Sequence, residues 1–138
     1  MSSYGFDRIN KLAQQRGEPY KVLIVDDEKW IRDVFADFCK LTDAFKVDLV
    51  QSGREAIEKA QVTSYDLITV DLIMPEISGL EVLTEIKRIS PQVPVMIVTG
   101  NATDRLVREA GVMGACRVLY KPVTLDDFVE NMISTLDR

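Results

Sequence analysis

The chain has 138 residues, 22 acidic and 17 basic, and no histidine. That length supports one domain with one real core, and the mild negative balance argues against nucleic-acid binding through a basic face. Without histidine the chain lacks the usual general base and the usual nitrogen carrier of phosphate, so any phosphohistidine has to belong to another molecule.

In chain order, residues 1–20 stand apart as an N-terminal extension. The stretch is polar and lacks the apolar core of a signal peptide. Phe6, Ile9, Leu12 and Ala13 fit a short amphipathic helix, and a frayed tail fits equally well. Residues 21–138 carry the regular pattern. Val22-Leu23-Ile24-Val25 is a continuous β-branched run of the kind buried in a parallel sheet. From Glu28 to Lys40, Ile31, Val34, Phe35 and Phe38 recur at helical spacing. Trp30 flanks that stripe and reads first as cover for a core edge, second as a partner contact. Lys46 to Val50 alternates as an edge strand, with Val47 and Leu49 inward.

Ser52 with Glu55 predicts a capping box opening a helix that runs to Val62. Leu67 to Val70 is a second buried strand and leads to Asp71. The loop that follows holds Pro75, which cannot continue a strand interior. Leu80 to Ile89 returns to helical period through Val82, Leu83 and Ile86, and Pro91 and Pro94 break it. Val95 to Val98 is the next strand. Asn101 to Val112 is a weaker helix, with Gly111 and Gly114 predicted to end it. Val118-Leu119-Tyr120 leads into Lys121-Pro122. Thr124 then caps a last helix whose first turn holds Asp126 and Asp127, where the helix dipole favours anions. The result is five β/α units, which right-handed crossovers wind into a doubly wound α/β sheet. Cys39 and Cys116 have no metal-type spacing and read as two buried free thiols in a reducing cytosol. No apolar run approaches the ~20 residues of a membrane span.

The chemistry sits at the strand ends. Asp26-Asp27, Asp71, Thr99 and Lys121 each follow or close an apolar run, and in an open α/β sheet those ends meet at one crevice. Singly, each has a plainer role: the acidic pair suits a helix cap, and Asp71 a turn before Pro75. Together they form a set that chance rarely assembles. Oxygen ligands with open positions suit Mg²⁺, completed by a substrate phosphate. Three adjacent carboxylates repel one another, which a cation and Lys121 would offset. In such a pocket an Asp71 oxygen can attack phosphorus in line, with Lys121 and Thr99 on the equatorial oxygens.

Four stretches then carry a resemblance: Val22-Leu23-Ile24-Val25-Asp26-Asp27-Glu28, Asp71-Leu72-Ile73-Met74-Pro75 with Gly79, Val98-Thr99-Gly100, and Tyr120-Lys121-Pro122. In order and spacing they resemble the receiver domains of two-component response regulators, from about Lys21 to Leu136. The resemblance implies a three-layer, flavodoxin-like, five-stranded parallel sheet of order 2-1-3-4-5. It implies Asp71 as phosphoacceptor, with Thr99 and Lys121 assisting. Mg²⁺ would be held by Asp27, Asp71 and the backbone carbonyl of Ile73, with Asp26 acting mainly through water. A cis Lys121–Pro122 bond is also implied. The family's switch aromatic stands three residues before the lysine, where this chain has Val118. Tyr120 either substitutes for it or is an ordinary strand residue.

Also implied are a cytoplasmic location, a histidine kinase or phosphotransfer protein as donor, and a downstream protein target. A phosphorylation-dependent dimer fits, and neither direct nucleic-acid binding nor a membrane partner is expected. The only catalysis expected is the chain's own phosphorylation and dephosphorylation. The chain reads as a stand-alone regulator or as a receiver cut from a longer protein. Three rivals remain. A haloacid-dehalogenase-type phosphatase wants an aspartate two residues after its nucleophile, where Ile73 stands. A flavodoxin needs a phosphate-cradling loop where Asp26-Asp27-Glu28 would repel phosphate. A receiver signalling without phosphorylation has no need of the intact acidic set.

Overall fold

The structure is a computed structural model that describes residues 5–137. Residues 1–4 of the expected extension, and residue 138, lie outside the described residues. The elements run α1 (Phe6–Arg16), β1 (Tyr20–Val25), α2 (Lys29–Cys39), β2 (Phe45–Val50), α3 (Gly53–Val62), β3 (Leu67–Val70), α4 (Gly79–Ile89), β4 (Val95–Thr99), α5 (Asp104–Val112), β5 (Arg117–Tyr120) and α6 (Leu125–Leu136). All strands are parallel, in the order β2-β1-β3-β4-β5. This is the doubly wound order that the resemblance implied.

Each strand's alternation divides the core between two layers. Val22 and Ile24 of β1 face α1, α2 and α6, together with Met96 and Val98 of β4. Leu23 and Val25 face α3, α4 and α5, with Ile68, Val70 and Ile97. The central strands β3 and β4 are buried throughout, as strands covered on both faces must be. On the first face Phe35 of α2 stacks on Phe128 of α6 with ring centroids 4.3 Å apart. Ser52 and Thr124 cap their helices as expected, each side chain accepting the amide three residues on. Ser78 and Thr103 do the same for α4 and α5.

Of the two readings of the N-terminal stretch, the helix holds. Ile9 and Ala13 of α1 enter the first core layer, Asn10 hydrogen-bonds Thr42, and Arg8 pairs with Asp137. Gly17, at φ 83°, ends the helix, its amide donating to Ala13 and Gln14 carbonyls.

Several local expectations are corrected. Leu49 is exposed, and Val50 carries the burial at the end of β2, because an outer strand is covered less completely than an inner one. The Glu55 carboxylate accepts the Gln51 amide rather than that of Ser52, so the capping box is closed one residue early. Gly111 lies inside α5, and Gly114, at φ 110°, makes the turn after it. Trp30 is 62% exposed and covers no core.

Cys39 is buried, but Cys116, beside the outermost strand β5, is exposed. Burial pushes the Cys39 thiol up to about 12, so it stays protonated in the fold at any ordinary alkaline pH. One thiol is therefore expected to react quickly with a disulfide reagent at mild alkaline pH, and the second only on unfolding. Cys116→Ser should remove the fast phase; two fast thiols in the native chain would contradict the packing around α2.

Candidate functional site

Register builds the site. Val25 pairs with Val70, so the next residues, Asp26 and Asp71, leave adjacent strands side by side. Thr99 pairs with Tyr120, which brings Lys121 beyond Thr99, its amide donating to the Thr99 carbonyl at 2.9 Å. Asp26, Asp71 and Thr99 are buried at the floor, while Asp27 is exposed at the rim.

Both oxygens of Asp71 are engaged. Oδ1 accepts the Thr99 hydroxyl at 2.9 Å and the Ile73 amide at 3.0 Å. Oδ2 accepts Lys121 Nζ at 2.8 Å. The same ammonium lies 2.7 Å from Asp26 Oδ2 and 3.7 Å from Glu28 Oε1. Asp26 Oδ1 accepts the Glu28 amide at 2.9 Å, and the Arg32 guanidinium donates to the Asp26 carbonyl at 2.7 Å. Burial raises the Asp26 carboxyl above its usual range, more than the Lys121 contact lowers it. For Lys121 burial works the other way, yet the hydrogen bonds to Asp26 and Asp71 outweigh it, so the amine is raised and remains cationic.

Asp26, Asp27 and Asp71 each bring a carboxylate oxygen within 4.8 Å of the others'. Set against the one ammonium of Lys121, which pairs with Asp26 and Asp71, the three carboxylates leave an excess of negative charge on hard oxygen donors. That donor set fits a hard divalent cation that keeps open positions. The Lys121–Pro122 bond is cis, as the resemblance implied.

Gly79 holds the loop after Asp71 against α4. Its amide donates to the Leu72 carbonyl at 3.0 Å, and a Cβ there would lie 2.3 Å from the Asp71 carbonyl oxygen. The Ile73 side chain is exposed beside the pocket. Val118 packs half-buried against the second core layer, and Tyr120 is 56% exposed. Two neighbours were not foreseen. Glu28 faces Lys121, and Trp30 Nε1 donates to Glu28 Oε2 at 3.0 Å. Glu28 follows the acidic pair directly, but nothing in its local pattern says which way its side chain turns.

The family model of the response regulator receiver domain matches residues 22–133. The chain is 31% identical over 118 residues to the chemotaxis protein CheY of Bacillus subtilis, covering 86% of this chain and 98% of that one. It is 33% identical over 108 residues to a protein-glutamate methylesterase/protein-glutamine glutaminase of Treponema denticola, where the match spans 76% of this chain and only 29% of the relative. Among solved structures, a CheY-like receiver domain protein of Methanospirillum hungatei superposes with a TM-score of 0.84 at 25% identity, over 87% of this chain and 95% of the other. A receiver domain protein of Clostridium thermocellum gives 0.78 at 31% identity, over 86% and 95%.

Proposed function

The chain belongs to the response regulator receiver domain family of two-component signalling, and we propose that within it Asp71 is the phosphoacceptor, with Asp26, Asp27, Asp71 and the Ile73 carbonyl holding Mg²⁺. The observation that carries this reading is the double engagement of Asp71: Thr99 on one oxygen and Lys121 on the other, inside a cluster of three carboxylates.

Asp71 attacks the phosphorus of a phosphohistidine in line; the P–N bond breaks and its electron pair leaves with the imidazole nitrogen. Lys121 and Thr99, already on the two Asp71 oxygens, are placed to follow the arriving phosphoryl oxygens as ion-pair and hydroxyl partners. A bound Mg²⁺ would supply further positive charge to those oxygens and offset the carboxylates' repulsion. The donor is a histidine kinase or a phosphotransfer protein, since this chain has no histidine. The readout is altered affinity for a downstream protein, with Thr99 moving and the exposed ring of Tyr120 free to bury in place of an aromatic at Val118. Residues 21–138 form the receiver, with 1–20 as its extension. The protein works in the cytoplasm, and the chemistry it catalyses is confined to gaining and losing its own phosphoryl group. Among the described residues no helix is long and apolar enough to cross a membrane.

The test is site mapping. With acetyl phosphate and Mg²⁺, borohydride reduction of the acyl phosphate should mark Asp71 alone, and a chelator should suppress it. A label on another residue, or one indifferent to chelation, overturns the reading.

The phosphoryl lifetime should depend on Ile73. Hydrolysis needs a water in line with phosphorus, flanked by the side chains two residues past Asp71 and Thr99, namely Ile73 and Asn101. Ile73 cannot orient a water, so Ile73→Asn is expected to shorten the lifetime several-fold, the worth of one hydrogen bond at about 1 kcal/mol. Decay followed after removal of donor, at equal Mg²⁺, checks this; an equal or slower decay contradicts it.

A further inference from the structure

Lys121 has a third carboxylate neighbour that the metal cluster does not use. Glu28 Oε1 stands 3.7 Å from Nζ, and its side chain is 49% exposed where those of Asp26 and Asp71 are 3% and 6%. Glu28 therefore lies on the solvent side of the ammonium. Its other oxygen, Oε2, accepts Trp30 Nε1 at 3.0 Å, and its backbone is tied to Asp26 Oδ1. The indole of Trp30 is largely exposed, yet its N–H is spent on orienting this carboxylate. The nearby cation Lys29 is taken up by Asp33 at 2.7 Å.

We propose that Glu28, oriented by Trp30, selects phosphodonors by the charge of their leaving group, favouring a protonated nitrogen over a carboxylate. This rests on the phosphoacceptor role of Asp71. In-line displacement places the leaving group opposite the attacking Asp71 oxygen. Asp71 is buried, so that side is the open mouth, where the Glu28 charge stands. Acetyl phosphate breaks its P–O bond and the electron pair departs as acetate, an anion growing beside an anion. Phosphoramidate breaks its P–N bond; its nitrogen starts protonated and departs as ammonia, never as an anion. Coulomb repulsion across a few ångströms in a wet site amounts to about a threefold to tenfold rate difference, and it weakens as salt screens it.

The experiment measures the labelling rate constants of the wild-type chain, Glu28→Gln and Trp30→Phe with acetyl phosphate and with phosphoramidate, at equal Mg²⁺ and low salt. Glu28→Gln should speed acetyl phosphate and leave phosphoramidate level or slower, lowering the phosphoramidate-to-acetyl-phosphate ratio about fivefold. Trp30→Phe, which keeps a ring but loses the N–H, should shift the ratio the same way by less. Added salt should speed acetyl phosphate labelling of the wild type more than that of Glu28→Gln. Any effect on metal affinity or folding acts on both donors and cancels in the ratio. A Glu28→Gln ratio equal to the wild type's overturns the proposal. If neither donor labels the wild-type chain, the phosphoacceptor reading fails first and takes this one with it.

Discussion

Asp71→Asn is expected to abolish phosphoryl incorporation from acetyl phosphate and Mg²⁺, read as the intact mass of the chain. An amide cannot form the acyl phosphate, and among the described residues the other buried carboxylate, Asp26, shares Lys121 with Asp71 but not the Thr99 hydroxyl. Lys121→Ala should retain the acceptor yet label about a hundredfold more slowly, the scale of losing one charged donor at a developing anion. It should also cost stability, about 3 kcal/mol, because two buried carboxylates lose the cation they share. Saturating Mg²⁺ should raise the melting temperature of the wild type through binding to the folded state, and raise that of Asp71→Asn less, since one ligand is gone. Full labelling of Asp71→Asn would move the acceptor elsewhere. A wild-type melting temperature unmoved by Mg²⁺ would remove the metal from the pocket.

Gly79→Ala should be the most damaging single methyl group in the chain. The added carbon would meet the Asp71 carbonyl oxygen at 2.3 Å, the Leu72 Cα at 2.5 Å and the Asp71 carbonyl carbon at 2.9 Å. All three are backbone atoms, so no side chain can swing aside, and either α4 or the loop after Asp71 has to shift. Overpacking of this kind costs about 3 kcal/mol or more. The shift would fall on Asp71, the proposed phosphoacceptor, so any folded fraction should also label slowly. Gly111→Ala is the control. It lies inside α5 with nothing within 4 Å of the new carbon, and should stabilise by up to about 1 kcal/mol through helix propensity. Urea denaturation of both variants against the wild type decides the matter. A Gly79→Ala midpoint close to the wild type's would mean that the loop and α4 are less tightly joined than the structure has them.

The convergence of Asp26, Asp27, Asp71, Thr99 and Lys121 was legible from sequence because it needs only local information. Apolar runs mark parallel strands, parallel strands share one C-terminal edge, and each of these residues closes or follows a run. The caps at Ser52 and Thr124 were legible for the same reason, since a cap acts within its own first turn. Exposure was not legible. Trp30, Leu49 and Cys116 each read as inward or covered, and each is outward, because the answer depends on which distant element lies over that part of the sheet. The N-terminal stretch read equally as helix or tail; Ile9 decided it by entering the core layer that α2 and α6 also form, the α6 members of that layer lying more than a hundred residues away along the chain. Glu28 turns toward Lys121 only because β1 and β5, far apart in sequence, end within a few ångströms of one another, and Gly79 meets the Asp71 backbone where the intervening loop closes onto the start of α4. Period and propensity act over a few residues and state which element forms. Which face it buries, and which side chain meets which, is decided by contacts that exist only once the chain has closed on itself.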